Sequence, residues 1–289
     1  MKLEFAKMHG LGNDFMVIDL ISQDLCLTTD QVRAWADRRT GIGFDQLLAI
    51  EAPTEPDFDF RYRIYNADGA EVEQCGNGAR CAALFVSLRN LSPKTTLRMQ
   101  TLGGPIETKV VDESTVEVNL GVPTNGPTDV PFAVAAACPS SSSESPEAST
   151  QLRYRLQSGD ESYELIPVSI GNPHGVMFVS DISTAPVEEL GAELVWHPFF
   201  PEGANIGFCQ IVDQGFVRLR VFERGVGETR ACGTGACAAA VAGQLAGMLG
   251  QRVKVSLPGG KVRINWQGPG SPVRMAGPAN LVYQGHMSL

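Results

Sequence analysis

One short turn occurs twice in the chain and constrains the fold more than any other feature. Gln74-Cys75-Gly76-Asn77-Gly78-Ala79 is followed 157 positions later by Ala231-Cys232-Gly233-Thr234-Gly235-Ala236. A recurrence at about half the length of the 289-residue chain is too long for a solenoid, whose repeats have periods of about 20–50 residues. We therefore predict two duplicated halves of one α/β design.

Other landmarks recur in the same order in the two halves, at offsets that drift through loop changes. The aligned positions are 12–13 with 171–172, 42–46 with 206–210, 63–66 with 220–223, Glu71 with Glu228, and the Gly-Gly pairs 103–104 with 259–260. The alignment predicts one domain at residues 1–119, completed by residues 278–289. The second domain is predicted at residues 120–277, after a join rich in Pro and Gly near 121–127.

The apolar pattern predicts mixed α/β halves in which strands dominate. Strands are predicted at 15–20, 46–50, 58–65, 176–180, 208–212 and 216–222. Helices are predicted at 29–39, 79–89, 184–196 and 236–248, and each Gly-Gly pair is predicted to turn a hairpin. The serine-rich residues 139–150 lack an apolar period, so we predict a surface loop with no assigned function there.

Composition excludes several classes of function. The net charge is −9 and no Lys/Arg run stands out, which argues against nucleic acid as a partner. No stretch reaches the roughly 18 apolar residues of a membrane span, and the first residues lack the apolar core of a signal peptide. Seven cysteines are an odd number, so we expect reduced thiols and a cytoplasmic location.

Each Cys-Gly-x-Gly-Ala turn lies where a predicted strand ends and an alanine-rich helix begins. Cys75 and Cys232 therefore occupy or adjoin helix N-caps, where unpaired backbone N–H groups and the helix dipole favour an anion and lower a thiol pKa. A single copy is explained by a tight helix start. Two copies suit a reaction in which one group removes a proton from a carbon and another returns a proton to its other side, as in amino-acid racemisation or epimerisation.

Other cysteine chemistry fits the spacing poorly. Cys81 and Cys237 are predicted to be buried small hydrophobes within the helices. The C-x-x-C spacing of a redox dithiol is absent, and clustered histidines for zinc are absent too. Neither glycine turn is a P-loop or a dinucleotide fingerprint, so no cofactor is predicted.

With these motifs in view, the chain resembles the diaminopimelate epimerases over nearly its whole length. The motifs that carry the resemblance are 7–15, 41–46, 66–69, 73–80, 171–174, 204–208, 223–225 and 227–235. The resemblance implies a pyridoxal-independent enzyme of lysine and peptidoglycan precursor synthesis, acting on L,L-diaminopimelate. It also implies a homodimer of subunits with two pseudo-symmetric domains, each a curled mixed sheet around a central helix, and an active site in the interdomain cleft.

The resemblance also implies the roles of the site residues. Cys75 and Cys232 form the acid–base pair, with His174 and Glu223 in support. The substrate-binding residues are Asn13, Gln46, Asn66, Gly76, Asn77, Asn172, Asn205, Glu223, Arg224, Gly233 and Thr234. The non-reacting end of the substrate needs partners for its ammonium and its carboxylate, and Glu223-Arg224 fits that need.

Two alternatives stay open from the sequence. A proline or hydroxyproline racemase would keep the fold and change the substrate. A non-catalytic amino-acid-binding protein would tolerate loss of either sulfur, and the presence of both Cys75 and Cys232 argues against it.

Overall fold

The computed structural model describes residues 2–73, 75–126, 130–133, 136–137 and 152–289. The predicted serine-rich loop at 139–150 lies outside these ranges. The chain divides into two compact units, one formed by residues up to 119 together with 276–289 and the other by residues 120–275. The chain returns to the first unit at residue 276, two residues before the predicted position 278. This boundary lies inside a strand. The origin of the units by duplication stays a prediction.

Strands outnumber helices in both units. The first unit contains β1 Lys2–Gly10, β2 Asn13–Asp19, α1 Thr29–Ala36, β3 Gln46–Glu51, β4 Phe60–Asn66, β5 Glu71–Val72, α2 Gly76–Leu88, β6 Thr96–Thr101, β7 Gly104–Val110 and β8 Thr115–Asn119. The second contains β9 Tyr154–Ser158, β10 Glu161–Ser169, β11 Pro173–Phe178, α3 Val187–Leu194, β12 Asn205–Asp213, β13 Phe216–Glu223, β14 Gly227–Thr229, α4 Gly233–Leu245, β15 Arg252–Leu257 and β16 Gly260–Asn265. β17 Arg274–Pro278 crosses the division, and β18 Asn280–Ser288 belongs to the first unit, where it pairs with β1.

The two units connect their strands in the same way. In the first, β1–β2 is antiparallel, β2–β3 parallel, β3–β4 antiparallel, β4–β6 parallel and β6–β7 antiparallel. In the second, the same sequence of pairings runs through β10–β11, β11–β12, β12–β13, β13–β15 and β15–β16. The predicted mixed α/β class is confirmed, and so are the two Gly-Gly hairpins.

One buried helix packs against several strands in each unit. α2 contacts β1–β4, β7 and β8, and α4 contacts β10–β13, β15 and β16. Both helices are rich in alanine and other small residues, and most of their positions are buried. A helix that is apolar on every side must be covered on every side, which is what the surrounding strands do.

Matching ion pairs support the equivalence of the two units. Arg63 donates to both carboxylate oxygens of Glu71 at 2.9 and 2.7 Å, and Arg220 donates to both oxygens of Glu228 at 2.7 and 2.6 Å. Each pair joins a long strand to the short strand before the buried helix. The alignment of 63–66 with 220–223 is therefore confirmed.

The alignment of 42–46 with 206–210 is wrong. Gln46 begins β3 opposite Asn66, the last residue of β4. In the second unit the equivalent strand β12 begins at Asn205, so Asn205 and not Gln210 corresponds to Gln46. The shared letters mislead because residues 42–45 lie in a loop, with Gly43 at φ 71°, whereas 206–209 lie inside a strand.

α1 and α3 are shorter than predicted, because a side-chain carboxylate ends α1 early and a proline delays the start of α3. After α1, the Asp37 carboxylate accepts hydrogen bonds from the N–H groups of Arg39 and Thr40 at 2.8 and 2.6 Å, which replaces helical pairing by a turn. α3 begins only after Pro186, whose ring fixes φ at a helix start.

α2 and α4 begin three residues earlier than predicted, at Gly76 and Gly233. The predicted helices began at Ala79 and Ala236 and so left out the glycine turns. These residues form the first turn of each helix when a side chain caps that turn. α4 also ends early, at Leu245, and is followed by Gly247 at φ 70°, a left-handed conformation that suits glycine after a helix.

Candidate active site

Both turn cysteines are helix N-caps, which confirms their predicted location. The Cys75 sulfur accepts a hydrogen bond from the Gly78 N–H at 3.3 Å, and the Cys232 sulfur accepts one from the Gly235 N–H at 3.4 Å. These N–H groups belong to the unpaired donors of a first helical turn. Each sulfur is therefore held at the positive end of a buried helix, whose N–H groups favour the thiolate. For Cys232, burial outweighs this effect, so the predicted lowering of its thiol pKa is wrong.

In the first unit, two predicted site residues come together at each of two places. The Cys75 thiol donates to Asn13 Oδ1 at a donor–acceptor distance of 3.7 Å. Gln46 Nε2 donates to Asn66 Oδ1 at 2.9 Å across the β3–β4 pair. Gln46 Oε1 is buried and has no hydrogen-bond partner among the described residues. These amides stand at strand ends, since Asn13 begins β2, Gln46 begins β3 and Asn66 ends β4.

Two buried residues that contact the first turn of α2 were not predicted from the sequence, Tyr62 on β4 and Arg80 within α2 itself. Tyr62 is buried below Gly78, and its hydroxyl has no hydrogen-bond partner within the described part of the chain. Burial, with a smaller effect of the neighbouring Cys75, holds the pKa of Tyr62 well above its ordinary value. Arg80 is fully buried and donates to Asn77 Oδ1 at 2.7 Å, so the Asn77 side-chain oxygen already has a partner within the protein.

In the second unit, an acidic side chain lies beside Cys232. Cys232 is 4% exposed, and burial raises its thiol pKa well above the ordinary value. The Glu223 carboxylate raises it further, whereas hydrogen bonds from Thr234 and the Gly235 N–H lower it. Glu223 is fixed by a hydrogen bond from Thr229, a residue that the sequence analysis missed.

Glu223 interacts with the Cys232 sulfur, which is consistent with the supporting role expected for it at a cysteine. Its expected contact with the non-reacting end of a substrate stays a prediction. The residue pattern alone could not show the contact with Cys232, because it depends on how β13 leads into β14 beside α4.

His174 joins two predicted site asparagines. Its Nε2 lies 3.2 Å from Asn172 Oδ1 and 3.5 Å from Asn205 Nδ2, and Asn205 Oδ1 accepts the Arg224 backbone N–H at 2.9 Å. Burial lowers the pKa of His174 to about 3, so its ring is neutral at physiological pH. As an N–H, Nε2 donates to Asn172 Oδ1, and without its proton it accepts from Asn205 Nδ2, so the ring hydrogen-bonds one asparagine in each tautomer.

The Arg224 side chain has backbone partners of its own. Its Nη1 donates to the carbonyls of Glu202 and Gly203 at 2.5 and 3.4 Å. These hydrogen bonds fix the direction of the guanidinium group. They do not neutralise its positive charge, because a carbonyl group carries no net charge. Such a held cation suits a carboxylate ligand.

The other predictions from the sequence concerned buried cysteines, metal sites and membrane spans, and they can be compared with the described residues. Cys81 and Cys237 are buried inside the helices, as predicted, and burial raises the pKa of Cys81 to about 12. The described cysteines are free thiols. No group of three potential ligands for a metal ion occurs in the described ranges. No helix there is long and apolar enough to cross a membrane.

Comparison with known proteins gives the family and the fold. The chain matches the family model described as diaminopimelate epimerase over residues 5–125 and 166–282. It is 52% identical to the diaminopimelate epimerase of Pseudomonas aeruginosa strain LESB58 over 289 residues, which covers all of both chains.

Solved structures of more distant proteins share the fold. A hydroxyproline epimerase from Agrobacterium vitis, with bound trans-4-hydroxy-L-proline, superposes with a TM-score of 0.66 at 14% identity, covering 100% of this chain and 93% of that one. A PhzF-family phenazine biosynthesis protein from Bacillus anthracis superposes with a TM-score of 0.66 at 15% identity, covering both chains completely. At such identities the likeness extends to the fold alone.

Proposed function

The chain belongs to the diaminopimelate epimerase family, and we propose that it converts L,L-diaminopimelate into the meso isomer with Cys75 and Cys232 as an acid–base pair and without pyridoxal phosphate. The observation that carries the proposal is the pair of cysteine-capped helices, one in each unit. The product would serve lysine and peptidoglycan precursor synthesis in the cytoplasm. We also propose that the enzyme acts as a homodimer.

The proposed reaction moves one proton off the α-carbon and another onto its opposite face. One cysteine, as thiolate, takes the α-proton, so that the C–H bond breaks and an S–H bond forms. The other cysteine, as thiol, gives its proton to the carbanion, so that the configuration inverts. The mechanism therefore requires both sulfurs at one carbon, in opposite protonation states that exchange at each turnover.

The helix starts supply the electrostatic part of this mechanism. The backbone N–H groups of Gly76 and Asn77, and those of Gly233 and Thr234, lie in first helical turns and suit the carboxylate beside the reacting carbon. They also stabilise the negative charge that develops as the α-proton leaves.

The polar side chains suit the rest of the substrate. Glu223 lies beside Cys232, so we propose that its carboxylate binds the ammonium group at the reacting centre. The held Arg224 guanidinium would bind the carboxylate of the far end. Amide donors and acceptors for the remaining groups come from Asn13, Gln46, Asn66, Asn172 and Asn205, and His174 Nε2 contacts the last two.

Proton NMR in deuterated buffer tests the function directly. We expect L,L-diaminopimelate to lose its α-proton signal and to give the meso isomer when incubated with the protein, a thiol reductant and no pyridoxal phosphate. Exchange of proline or hydroxyproline without exchange of diaminopimelate would instead favour the alternative substrate. Exchange of none of the three would favour the amino-acid-binding protein.

Replacing Glu223 by glutamine should make Cys232 more acidic. The Glu223 charge disfavours the thiolate of Cys232, so removing it is expected to lower the thiol pKa, although burial still keeps that pKa high. The measurement is the pH dependence of Cys232 alkylation by iodoacetamide, followed by peptide mass spectrometry.

Glu202→Gln, which changes an exposed carboxylate, is the matched control. The Cys232 alkylation midpoint should move to lower pH in Glu223→Gln and stay in place in the control. Equal midpoints in both variants would contradict the role of Glu223.

A further inference from the structure

The side chains of Asp45 and Asn13 lie close together because β2 and β3 begin at the same edge of the sheet. β2 and β3 are parallel, with Phe15 paired to Gln46. Asn13 begins β2 and Asp45 directly precedes β3, so their side chains come together although 32 positions separate them. Asn13 Nδ2 donates to Asp45 Oδ2 at 2.9 Å.

This contact determines which end of the Asn13 amide faces Cys75. An asparagine amide presents a donor at one end and an acceptor at the other, whereas a carboxylate only accepts. Turning the amide over would place Asn13 Oδ1 against the Asp45 carboxylate and cost the hydrogen bond. The Asn13 carbonyl oxygen therefore lies on the other side, where it accepts from the Cys75 thiol at 3.7 Å.

The Asp45 carboxylate is itself held from two directions. Its Oδ1 accepts from Arg38 Nη2 at 2.7 Å, and its Oδ2 also accepts the Asp14 backbone N–H at 3.0 Å. Arg38 in turn donates to both oxygens of the Asp14 side chain, which also pairs with Lys7. A carboxylate anchored in this way can hold a neighbouring amide in one orientation.

We propose that Asp45 is a positioning residue of the epimerase, which acts through Asn13 by keeping the Asn13 carbonyl oxygen toward the Cys75 sulfur. The Cys75 sulfur then lies between an acceptor, Asn13 Oδ1, that binds the thiol, and a donor, the Gly78 N–H, that binds the thiolate. A sulfur that alternates between acid and base needs both. This role of Asp45 in catalysis rests on the proposed function, whereas its effect on Cys75 does not.

Among the described residues of the second unit this device has no counterpart, which makes the effect specific to Cys75. The position equivalent to Asp45 is Ala204, directly before Asn205. There the amide of Asn172 is contacted by His174 Nε2 instead. Cys232 therefore serves as an internal reference in the same sample.

The test measures the pH midpoint of Cys75 alkylation by iodoacetamide, without substrate. In Asp45→Asn, the new amide can donate to Asn13 Oδ1 and release its carbonyl from the sulfur, so the Cys75 midpoint should fall by about one pH unit while that of Cys232 stays in place. Asn13→Ala, which removes the acceptor, should lower the Cys75 midpoint by a similar amount. The double variant should show no further fall.

Titratable or charged groups around Cys75 include Tyr62 from β4, and Arg80 and Cys81 from α2. They are the same in all variants. Asp14→Asn is the charge control, because it removes a carboxylate of the same cluster that does not hold the Asn13 side chain.

Three outcomes would overturn the positioning role: no shift in Asp45→Asn, an equal shift in Asp14→Asn, or an undiminished shift from Asp45→Asn when Asn13 is already alanine. If thermal melting shows that Asp45→Asn is poorly folded, Asp45→Ser gives the same test. Because no substrate is present, the result is independent of the NMR assay, and failure of either leaves the other standing.

Discussion

Replacing Cys75 or Cys232 by alanine is expected to lower kcat for epimerisation of L,L-diaminopimelate by about 10³-fold or more, since each loss removes one of the two proposed proton-transferring groups. The loss should appear in kcat/KM as well, because the sulfurs act on the transition state and do not carry the binding of the substrate. The measurement is conversion to the meso isomer, followed by NMR.

Each single cysteine variant should also show a pattern of α-proton exchange that a general loss of folding would not produce. The remaining cysteine can still remove a proton from the face that it contacts and return one there. The two variants should therefore exchange the α-proton of opposite isomers without interconverting them. Exchange of the same isomer by both variants would contradict the two-base mechanism.

Cys81→Ala and Cys237→Ala are the matched controls, because these residues lie in the same two helices and are buried away from the helix starts. Both controls should keep kcat within a few-fold of the unchanged protein, whereas a loss in the controls as large as in the turn variants would point to folding and not to catalysis.

Replacing Gly78 by alanine is expected to destabilise the first unit by about 1–3 kcal/mol, the usual cost of overpacking a buried site. A Cβ on Gly78 would lie 2.3 Å from the Tyr62 hydroxyl and 3.2 Å from Leu48 Cδ2. The helix start would have to shift, which would also move the N–H that binds the Cys75 sulfur. The measurement is the thermal unfolding midpoint together with kcat.

Tyr62→Phe offers a rescue of that variant. It removes the oxygen that the new methyl group would meet, and that oxygen has no hydrogen-bond partner among the described residues. Alone, Tyr62→Phe should be neutral or stabilise the protein by about 1 kcal/mol. Combined with Gly78→Ala, it should recover more than half of the lost stability.

Gly235→Ala is the matched control in the second unit. Its Cβ would meet Val221 Cγ2 at 3.0 Å and the Cys232 sulfur at 3.2 Å, so we expect a smaller loss of stability that Tyr62→Phe does not relieve. If Tyr62→Phe restored both glycine variants equally, or restored neither, the contact between Gly78 and Tyr62 would not be the cause.

The parts of the site that sequence reasoning predicted are local ones. A cysteine before Gly-x-Gly at the start of an alanine-rich run is a helix cap, and both Cys75 and Cys232 accept an N–H from three residues further on. The repeated letters also predicted the Arg63–Glu71 and Arg220–Glu228 equivalence. The same kind of matching failed at Gln46, because identical letters occupied a turn in one unit and a strand in the other.

By itself, the sequence determined the mixed α/β class, the two cysteine-capped helices and the family, because these depend on residue patterns that are short or that recur along the chain. Only the tertiary structure decided that Glu223 influences Cys232, that Tyr62 lies under Gly78, and that Asp45 holds the Asn13 amide. These contacts join residues from different strands and helices, so they depend on strand register and packing. A shift of one residue in β3 would turn its side chains to the other face of the sheet, and no local pattern near Asp45 specifies that register.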